Sequence, residues 1–347
     1  MDGAKTNRIH YFLIISACIV VIIAGLRLAE DIIKPVLVAI FVAMISLPLQ
    51  NWLIEKKIPS SLAVVLTIIA DLLVLIGFGF MVGGSVQGFA TEYPKYQAKF
   101  IAMAESTIDW LNSLGLNISR DLVIDYLKDN VFNYTKTAFI QGFNFITTLI
   151  LFSLTLLFIL FEAAGFPAKL ARAFGHSIRN TERLNKIKRD VQQYLIVKTL
   201  VSVATGILVG VSLKLIGLDF PVLWGLLAFL LNYIPSLGSI IAAVPPMLLA
   251  LLQLGKGSAL AVAIVFIIVN MVLGNLLEPH LMGRRLGLSA LFVFLSLVFW
   301  GWVWGPAGMI LSVPLTMLIK IMLENTPDLR WIAVMLGSGR EEHPPKK

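Results

Sequence analysis

Charge and cysteine are both scarce in this chain of 347 residues. It has 28 Lys and Arg and 20 Asp and Glu, 14% in total, whereas soluble domains carry about 25% charged residues. This scarcity excludes disorder and argues against a soluble enzyme, because a water-soluble particle needs more polar surface. The single cysteine, Cys18, excludes an intrachain disulfide, and four scattered histidines lack the spacing of a metal site.

Catalytic and nucleotide-binding motifs are also missing. The absence of a GxxxxGK[ST] phosphate loop excludes, as far as a motif can, an ATP-driven pump within this chain. The sequence contains neither HExxH nor GxSxG, so it has no visible protease or hydrolase site. We therefore expect a protein that is not an enzyme and that has no cofactor and no metal.

Hydrophobic residues, in contrast, make up 58% of the chain, and the mean hydropathy is +0.88. They form runs close to the length of about 20 residues that crosses a bilayer as a helix. The predicted fold class is all-α, a polytopic integral membrane protein with about six full transmembrane helices and two broken or re-entrant helical hairpins. If the hairpins span the membrane, the total rises to about eight to ten helices.

Hydropathy and charge divide the chain into segments. These are three transmembrane helices in 1–83, an amphipathic helical insert in 84–137, a transmembrane helix in 138–162, a basic helical segment in 163–198, a transport domain in 199–320 and a tail in 321–347. Basic loops stay in the cytoplasm, and the segment 163–198 has a basic excess that the insert lacks. We therefore expect the insert to lie outside the membrane, in the periplasm or extracellular space, and both termini to be cytoplasmic. The same loops explain the net charge of +8 without a nucleic-acid partner.

Two apolar pieces of the transport domain, 220–254 and 288–319, are interrupted by residues that break helices. Each piece is either a pair of tilted full spans or a re-entrant hairpin whose tip stops inside the membrane. The halves are at or under the length of a full crossing, which favours the hairpins. Because non-helical backbone at membrane depth is tolerated only inside protein or beside a watery cavity, such breaks indicate a transport site.

Three groups of residues are candidates for the solute or ion pathway. The first is the tip of the 220–254 piece, with hydrogen-bonding side chains beside helix breakers: Asn232, Tyr233, Pro235, Ser236, Gly238 and Ser239. A plain interhelical loop is the alternative. The third group is the corresponding tip of the other broken piece, 288–319. It has an aromatic wall beside a helix break: Trp300, Trp302, Pro306 and Gly308. Its tryptophans alternatively form an interfacial belt.

The second group lies between the two pieces, on the predicted span 258–277. Asn270, Gly274 and Glu278 recur every four residues, which places them on one helical face, and Asn275 is close to that face. An ionisable residue near membrane depth is a functional candidate by default. Pro279 predicts that the helix ends at Glu278, and the alternative is an interfacial carboxylate paired with Arg284 or Arg285.

Four sequence blocks together carry a resemblance to a known family. They read WGLLAFLLNYIPSLGS at 224–239, GNLLEPHLMGR at 274–284, FWGWVWGPAG at 299–308 and SVPLT at 312–316. In order and spacing they resemble the autoinducer-2 exporter (AI-2E) family over nearly the whole chain. The resemblance implies a multi-pass inner-membrane transporter and a homo-oligomer, with a pentamer as one such assembly. It implies a small polar solute, autoinducer-2, as cargo, whereas other branches of the family exchange sodium or lithium for protons.

Three hypotheses for the function follow. The first is a secondary exporter of autoinducer-2 or a similar small polar solute, and the second is a sodium or lithium/proton antiporter. The third is a membrane scaffold that does not transport and acts through the insert. GxxxG spacings, among them Gly79/Gly83 and Gly206/Gly210, additionally predict close helix packing.

Overall fold

The computed structural model describes residues 2–127, 152–162, 178–235, 237–282, 288–324, 326 and 329–337. All regular elements within these ranges are helices. They are α1 (Asp2–Leu28), α2 (Glu30–Glu55), α3 (Ser60–Ser113), α4 (Arg120–Tyr126), α5 (Phe152–Glu162), α6 (Ile178–Ile216), α7 (Pro221–Leu231), α8 (Gly238–Leu254), α9 (Lys256–Val269), a π-helix (Asn270–Leu277), α10 (Glu278–Met282), α11 (Ala290–Glu324) and α12 (Arg330–Leu336).

Five stretches of helix are long and apolar enough to cross a bilayer: Glu30–Glu55, Ser60–Ser113, Arg189–Ile216, Lys256–Met282 and Ala290–Glu324. Large apolar side chains such as those of Val74, Phe80 and Leu215 lie exposed along these helices. Exposed apolar surface of this extent is suited to lipid rather than to water. The prediction of an all-α polytopic membrane protein is confirmed. Most of the predicted span 138–162 lies outside the described residues, which resume at Phe152.

Helix α3 runs without a break from the third predicted span into the insert. Its 54 residues correspond to about 81 Å of helix, against about 30 Å for the hydrocarbon core. The insert therefore begins as a helical arm that prolongs a transmembrane helix. Phe89, Tyr93 and Tyr96 follow one another at spacings of four and three, so they share one face of this arm.

The chain forms two compact units. Unit one comprises 1–64, 151–195 and 285–347, and unit two comprises 65–150 and 196–284. The core of unit two is built around Trp224, Val209 and Val262, and that of unit one includes Trp300, Val303 and Trp304 packed with residues of α1 and α2. The apolar piece 220–254 belongs to unit two, and the piece 288–319 belongs to unit one.

In unit two the chain reverses direction between α7 and α8, which pack against each other as a hairpin. The helical hydrogen bonds stop at Asn232, and helix resumes at Gly238. A Cβ atom at Gly238 would overlap the carbonyl oxygen of Leu231, so only glycine lets the two arms meet there. The reversal lies within the predicted tip, 232–239.

In unit one α11 is also a hairpin, in which two helical stretches meet at a bend. The backbone leaves helical geometry at Trp304 (φ −128°, ψ 15°) and at Gly305 (φ 64°, ψ −145°). The Ser296 hydroxyl donates to the carbonyl oxygen of Ser312 at 2.9 Å, whereas 16 residues of straight helix would separate them by about 24 Å. Ala290–Glu324 is therefore two antiparallel arms and not one straight crossing.

The span that begins at Lys256 ends differently from the prediction. Its last turns are π-helical from Asn270 to Leu277, with the Glu278 N–H donating to the carbonyl oxygen of Leu273, five residues back. The prediction that Pro279 ends the helix was wrong, because helix continues to Met282. Pro279 is the second residue of α10, and proline is tolerated in the first turn of a helix.

Candidate transport site

The polar site of unit two is built on α6. Lys198 and Ser202 are four residues apart and therefore share a face of the helix. Thr199, the residue after Lys198, lies beside that face. Lys198 and Ser202 are buried, with 5% and 0% of their surface exposed. Buried polar groups in an apolar helix are costly unless each has a partner, and the structure supplies one for each of the three.

Two of these partners come from the hairpin of α7 and α8. The Asn232 side-chain amide donates to the hydroxyl oxygen of Ser202 at 2.9 Å, and the Tyr233 hydroxyl donates to that of Thr199 at 2.8 Å. Asn232 and Tyr233 are themselves buried. The hairpin tip is thus attached to α6 by two neutral hydrogen bonds, the kind that a polar solute can replace.

The third partner is Glu278. The Lys198 ammonium lies 2.9 Å from both carboxylate oxygens of Glu278, and the two side chains are 7% and 16% exposed. The ion pair joins α6 to the end of the π-helix, 80 residues further along the chain. Taking both charges out of water has a desolvation cost that offsets much of their attraction, so the pair is weak evidence for a purely stabilising role.

The rest of the predicted stripe is less uniform. The Asn270 side-chain oxygen packs on Gly274, where a Cβ would lie 3.0 Å from it, so these two residues do share a face. Asn275 is exposed. The stripe was predicted with ordinary α-helical spacing, but the wider π turn changes which side chains align. π-helical turns are rare and frequently occur at functional sites, which adds weight to this segment.

Close packing of α6 on α7 determines where the hairpin tip lies. A Cβ at Gly225 would be 2.6 Å from the carbonyl oxygen of Gly206 and 3.2 Å from the Cα of Gly210. The predicted GxxxG packing of Gly206/Gly210 is therefore present and brings the two backbones together. The spacing alone is not enough, since Gly79 has nothing within 4 Å of its Cβ position.

We expect Gly225→Ala to destabilise the protein by about 1–3 kcal/mol, because two backbones must separate to admit the methyl group. Thermal unfolding in detergent measures the effect. Gly79→Ala is the matched control and loses no stability, because it meets open space in the middle of a helix. Equal melting temperatures for the two variants would contradict the packing described for α6 and α7.

The third predicted group lies in unit one. Trp300 stacks on Trp304 at a centroid distance of 4.8 Å, and the Trp304 indole N–H donates to the carbonyl oxygen of Leu26. Trp302 is exposed and lies under the Arg27 guanidinium, 4.7 Å from the ring centroid. Pro306 is exposed, whereas Gly308 is buried against the Trp300 carbonyl.

Several polar residues of these clusters were not predicted from the sequence. Lys198 stood at the end of the basic segment 163–198, and Ser202 and Thr199 looked like ordinary residues of a span. In unit one, the hydroxyls of Ser296 and Thr316 hydrogen-bond inside the α11 hairpin.

Of the predicted residues, Pro235 and Ser239 are half-buried at the first tip. Ser236, Arg284 and Arg285 lie outside the described residues.

A lipid-facing helical protein with two hairpins and a buried polar site has the architecture of a multi-pass membrane transport protein. The family model described as "AI-2E family transporter" matches residues 16–328, and the chain belongs to this family. It is 37% identical over 327 residues to the "AI-2 transport protein TqsA" of Escherichia coli (strain K12), covering 93% of this chain and 94% of that protein. It is also 37% identical over 326 residues to the "Putative transport protein YhhT" of the same strain, covering 93% of each.

Proposed function

We propose that this chain is a secondary transporter that exports autoinducer-2 or a similar small polar solute across the bacterial inner membrane. The proposed site consists of the first hairpin tip, the polar face of α6 and Glu278. Membership of a transporter family and the similarity to TqsA support the class of cargo. The observation that carries the proposal is the buried cluster in which Lys198, Ser202 and Thr199 meet Glu278, Asn232 and Tyr233.

Helix lengths indicate the depth of this site. Lys198 precedes the end of α6 at Ile216 by 18 residues, about 27 Å of helix, and Glu278 follows Lys256 by 22 residues, about 33 Å. Both distances are close to the thickness of the hydrocarbon core. With cytoplasmic termini, as we propose, the ion pair lies near the cytoplasmic boundary, where cargo for export enters.

The chemistry of the cluster favours a solute rich in hydroxyl groups. Its described side chains contribute hydroxyl and amide groups that both donate and accept, together with one charge of each sign. A hydroxylated solute can take over the two tip hydrogen bonds and separate Lys198 from Glu278 without leaving a buried donor unpaired. The ion pair re-forms when the cargo leaves, which restores the empty site.

The export proposal is tested in cells that make autoinducer-2. We expect overexpression to raise the ratio of external to internal signal and deletion to lower it. Asn232→Ala loses the effect at equal protein level, because the tip loses its hydrogen bond to Ser202, whereas Thr326→Ala at an exposed position retains it. An unchanged distribution on both deletion and overexpression would reject this cargo.

The Lys198–Glu278 pair also favours a second candidate, the sodium or lithium/proton antiporter. A cation that displaces the Lys198 ammonium finds a desolvated carboxylate already positioned to bind it. In inverted vesicles, sodium or lithium then produces proton movement that Glu278→Gln abolishes. Absence of any proton response in the wild-type vesicles would remove this candidate.

A further inference from the structure

A second hydrogen-bonded cluster of unit two lies just beyond the end of α6 at Ile216, about 27 Å along the helix from Lys198. Its centre is Asp219, in the short connection between α6 and α7. The Asp219 carboxylate accepts a hydrogen bond from the Tyr96 hydroxyl, and its backbone N–H donates to the Gln253 side-chain oxygen at 3.1 Å. Its carbonyl oxygen accepts from the Trp224 indole N–H at 3.0 Å. One residue thus connects α3, α7 and α8.

Aromatic rings surround this cluster and bind the α3 arm to the base of the hairpin. Phe89 packs edge-on against Phe220 and Trp224, with centroid distances of 5.6 and 5.7 Å. Tyr96 also meets Phe220 edge-on. Such arrangements are favourable for aromatic rings and specify their relative orientation. The contact is therefore a defined interface and not a loose apposition.

The backbone at the hairpin base is held in an unfavourable conformation. Phe220 has φ 57°, in the left-handed region that bulky side chains rarely adopt. Such a residue persists only where its surroundings determine it, and here the rings of Phe89 and Tyr96 pack against Phe220. The strain at Phe220 favours release of the base once those contacts break.

Tyr96 belongs to the arm of α3 that continues beyond the predicted transmembrane segment 1–83. Burial, and then the hydrogen bond to Asp219, raise the pKa of Tyr96 far above its ordinary value. The hydroxyl is protonated at neutral pH, as that of an ordinary tyrosine is, and the raised pKa keeps it a donor at alkaline pH as well. The Tyr96 hydroxyl thus contacts Asp219, the residue that connects both arms of the hairpin at its base.

We propose that the Tyr96–Asp219 cluster is a latch by which the α3 arm holds the base of the α7–α8 hairpin closed. This inference rests on the proposed transport function and adds its regulation. The hairpin is attached twice, at its tip by Asn232 and Tyr233 and at its base by Asp219 and Gln253. Cargo can replace the tip bonds, but the base is freed only when the α3 arm moves away.

The test is amide hydrogen exchange of the purified full chain in lipid nanodiscs, without added cargo. Tyr96→Phe keeps the ring and removes only the hydroxyl, so the aromatic packing is retained. We expect exchange in residues 217–224 and 250–255 to rise about tenfold or more, as the loss of a hydrogen bond to a charged group predicts. The segment 198–202 around the ion pair keeps its wild-type rate, and Tyr126→Phe, at an exposed position, changes neither base segment.

A second variant distinguishes the loss of this one hydrogen bond from a general loss of fold. Asp219→Asn keeps the shape but weakens the acceptor, and it should raise exchange in the same two segments. Unchanged exchange at the base in both variants, or a uniform rise throughout unit two, would overturn the latch. Because hydrogen exchange is measured without cargo, a failure to export autoinducer-2 would reject that cargo but would not reject the latch. If export is confirmed but Tyr96→Phe exports at the wild-type rate, the latch does not regulate transport and the inference falls.

Discussion

Replacing Glu278 with glutamine is expected to abolish transport and to destabilise the protein by about 3–5 kcal/mol, because Lys198 is left as a buried charge without its partner. Lys198→Met should have a similar effect for the converse reason. The double variant, Lys198→Met with Glu278→Leu, should recover most of the stability, since two well-packed apolar residues avoid the desolvation cost of both charges. Transport should not recover, because the proposed site needs the charges themselves.

This separation of stability from transport distinguishes a functional pair from a structural one. Thermal unfolding in detergent measures the first quantity, and solute or proton flux in reconstituted vesicles measures the second. The control is Lys34→Met, which breaks the Lys34–Glu30 pair on α2, where both side chains are about one-third exposed. That change should cost at most about 0.5 kcal/mol. A double variant that transports at the wild-type rate would show that the pair is not part of the transport site.

Replacing Gly238 or Gly308 with valine is expected to prevent correct folding of the corresponding hairpin. In each case a Cβ would overlap a backbone carbonyl oxygen of the opposite arm, that of Leu231 or of Trp300. Overpacking typically costs about 1–3 kcal/mol, and the cost is higher here because backbone cannot rotate out of the way as a side chain does. We therefore expect a loss of at least about 3 kcal/mol, seen as poor yield and early thermal unfolding.

Matched controls exist in each unit. A Cβ at Gly257 in unit two or at Gly25 in unit one would meet nothing within 4 Å, so Gly257→Val and Gly25→Val should accumulate and melt like the wild type. Yield, the elution profile in detergent and the melting temperature are the measurements. Wild-type behaviour of Gly238→Val or Gly308→Val would mean that the corresponding chain reversal is not as tight as described.

Several features of the fold followed from local sequence. Helix breakers at 232–239 and at 301–306 predicted two interruptions, and the chain reverses at Asn232–Leu237 and at Trp304–Gly305. These predictions succeed because proline and glycine act on their own backbone, without help from distant residues. Whether each tip stops inside the membrane stays a prediction.

Other features depend on contacts between residues far apart in the chain. Pro279 was expected to end a helix, but the preceding π turns change the local hydrogen-bonding pattern and the helix continues. The α3 arm was recognised as amphipathic, yet its partner at the base of the hairpin was not, since Tyr96 and Asp219 are 123 residues apart. No periodicity connects residues at such a separation.

Composition and hydropathy alone thus determined that this is an all-α polytopic membrane protein, because the bilayer requires long apolar helices wherever the chain crosses it. Four local motifs sufficed to indicate the AI-2E family. Only the tertiary structure decided that Lys198 is the partner of Glu278 and that α6 carries the polar face opposite Asn232 and Tyr233. The reason is physical: a buried charge must have a partner, but which residue supplies it depends on how the helices pack and not on any spacing along the chain.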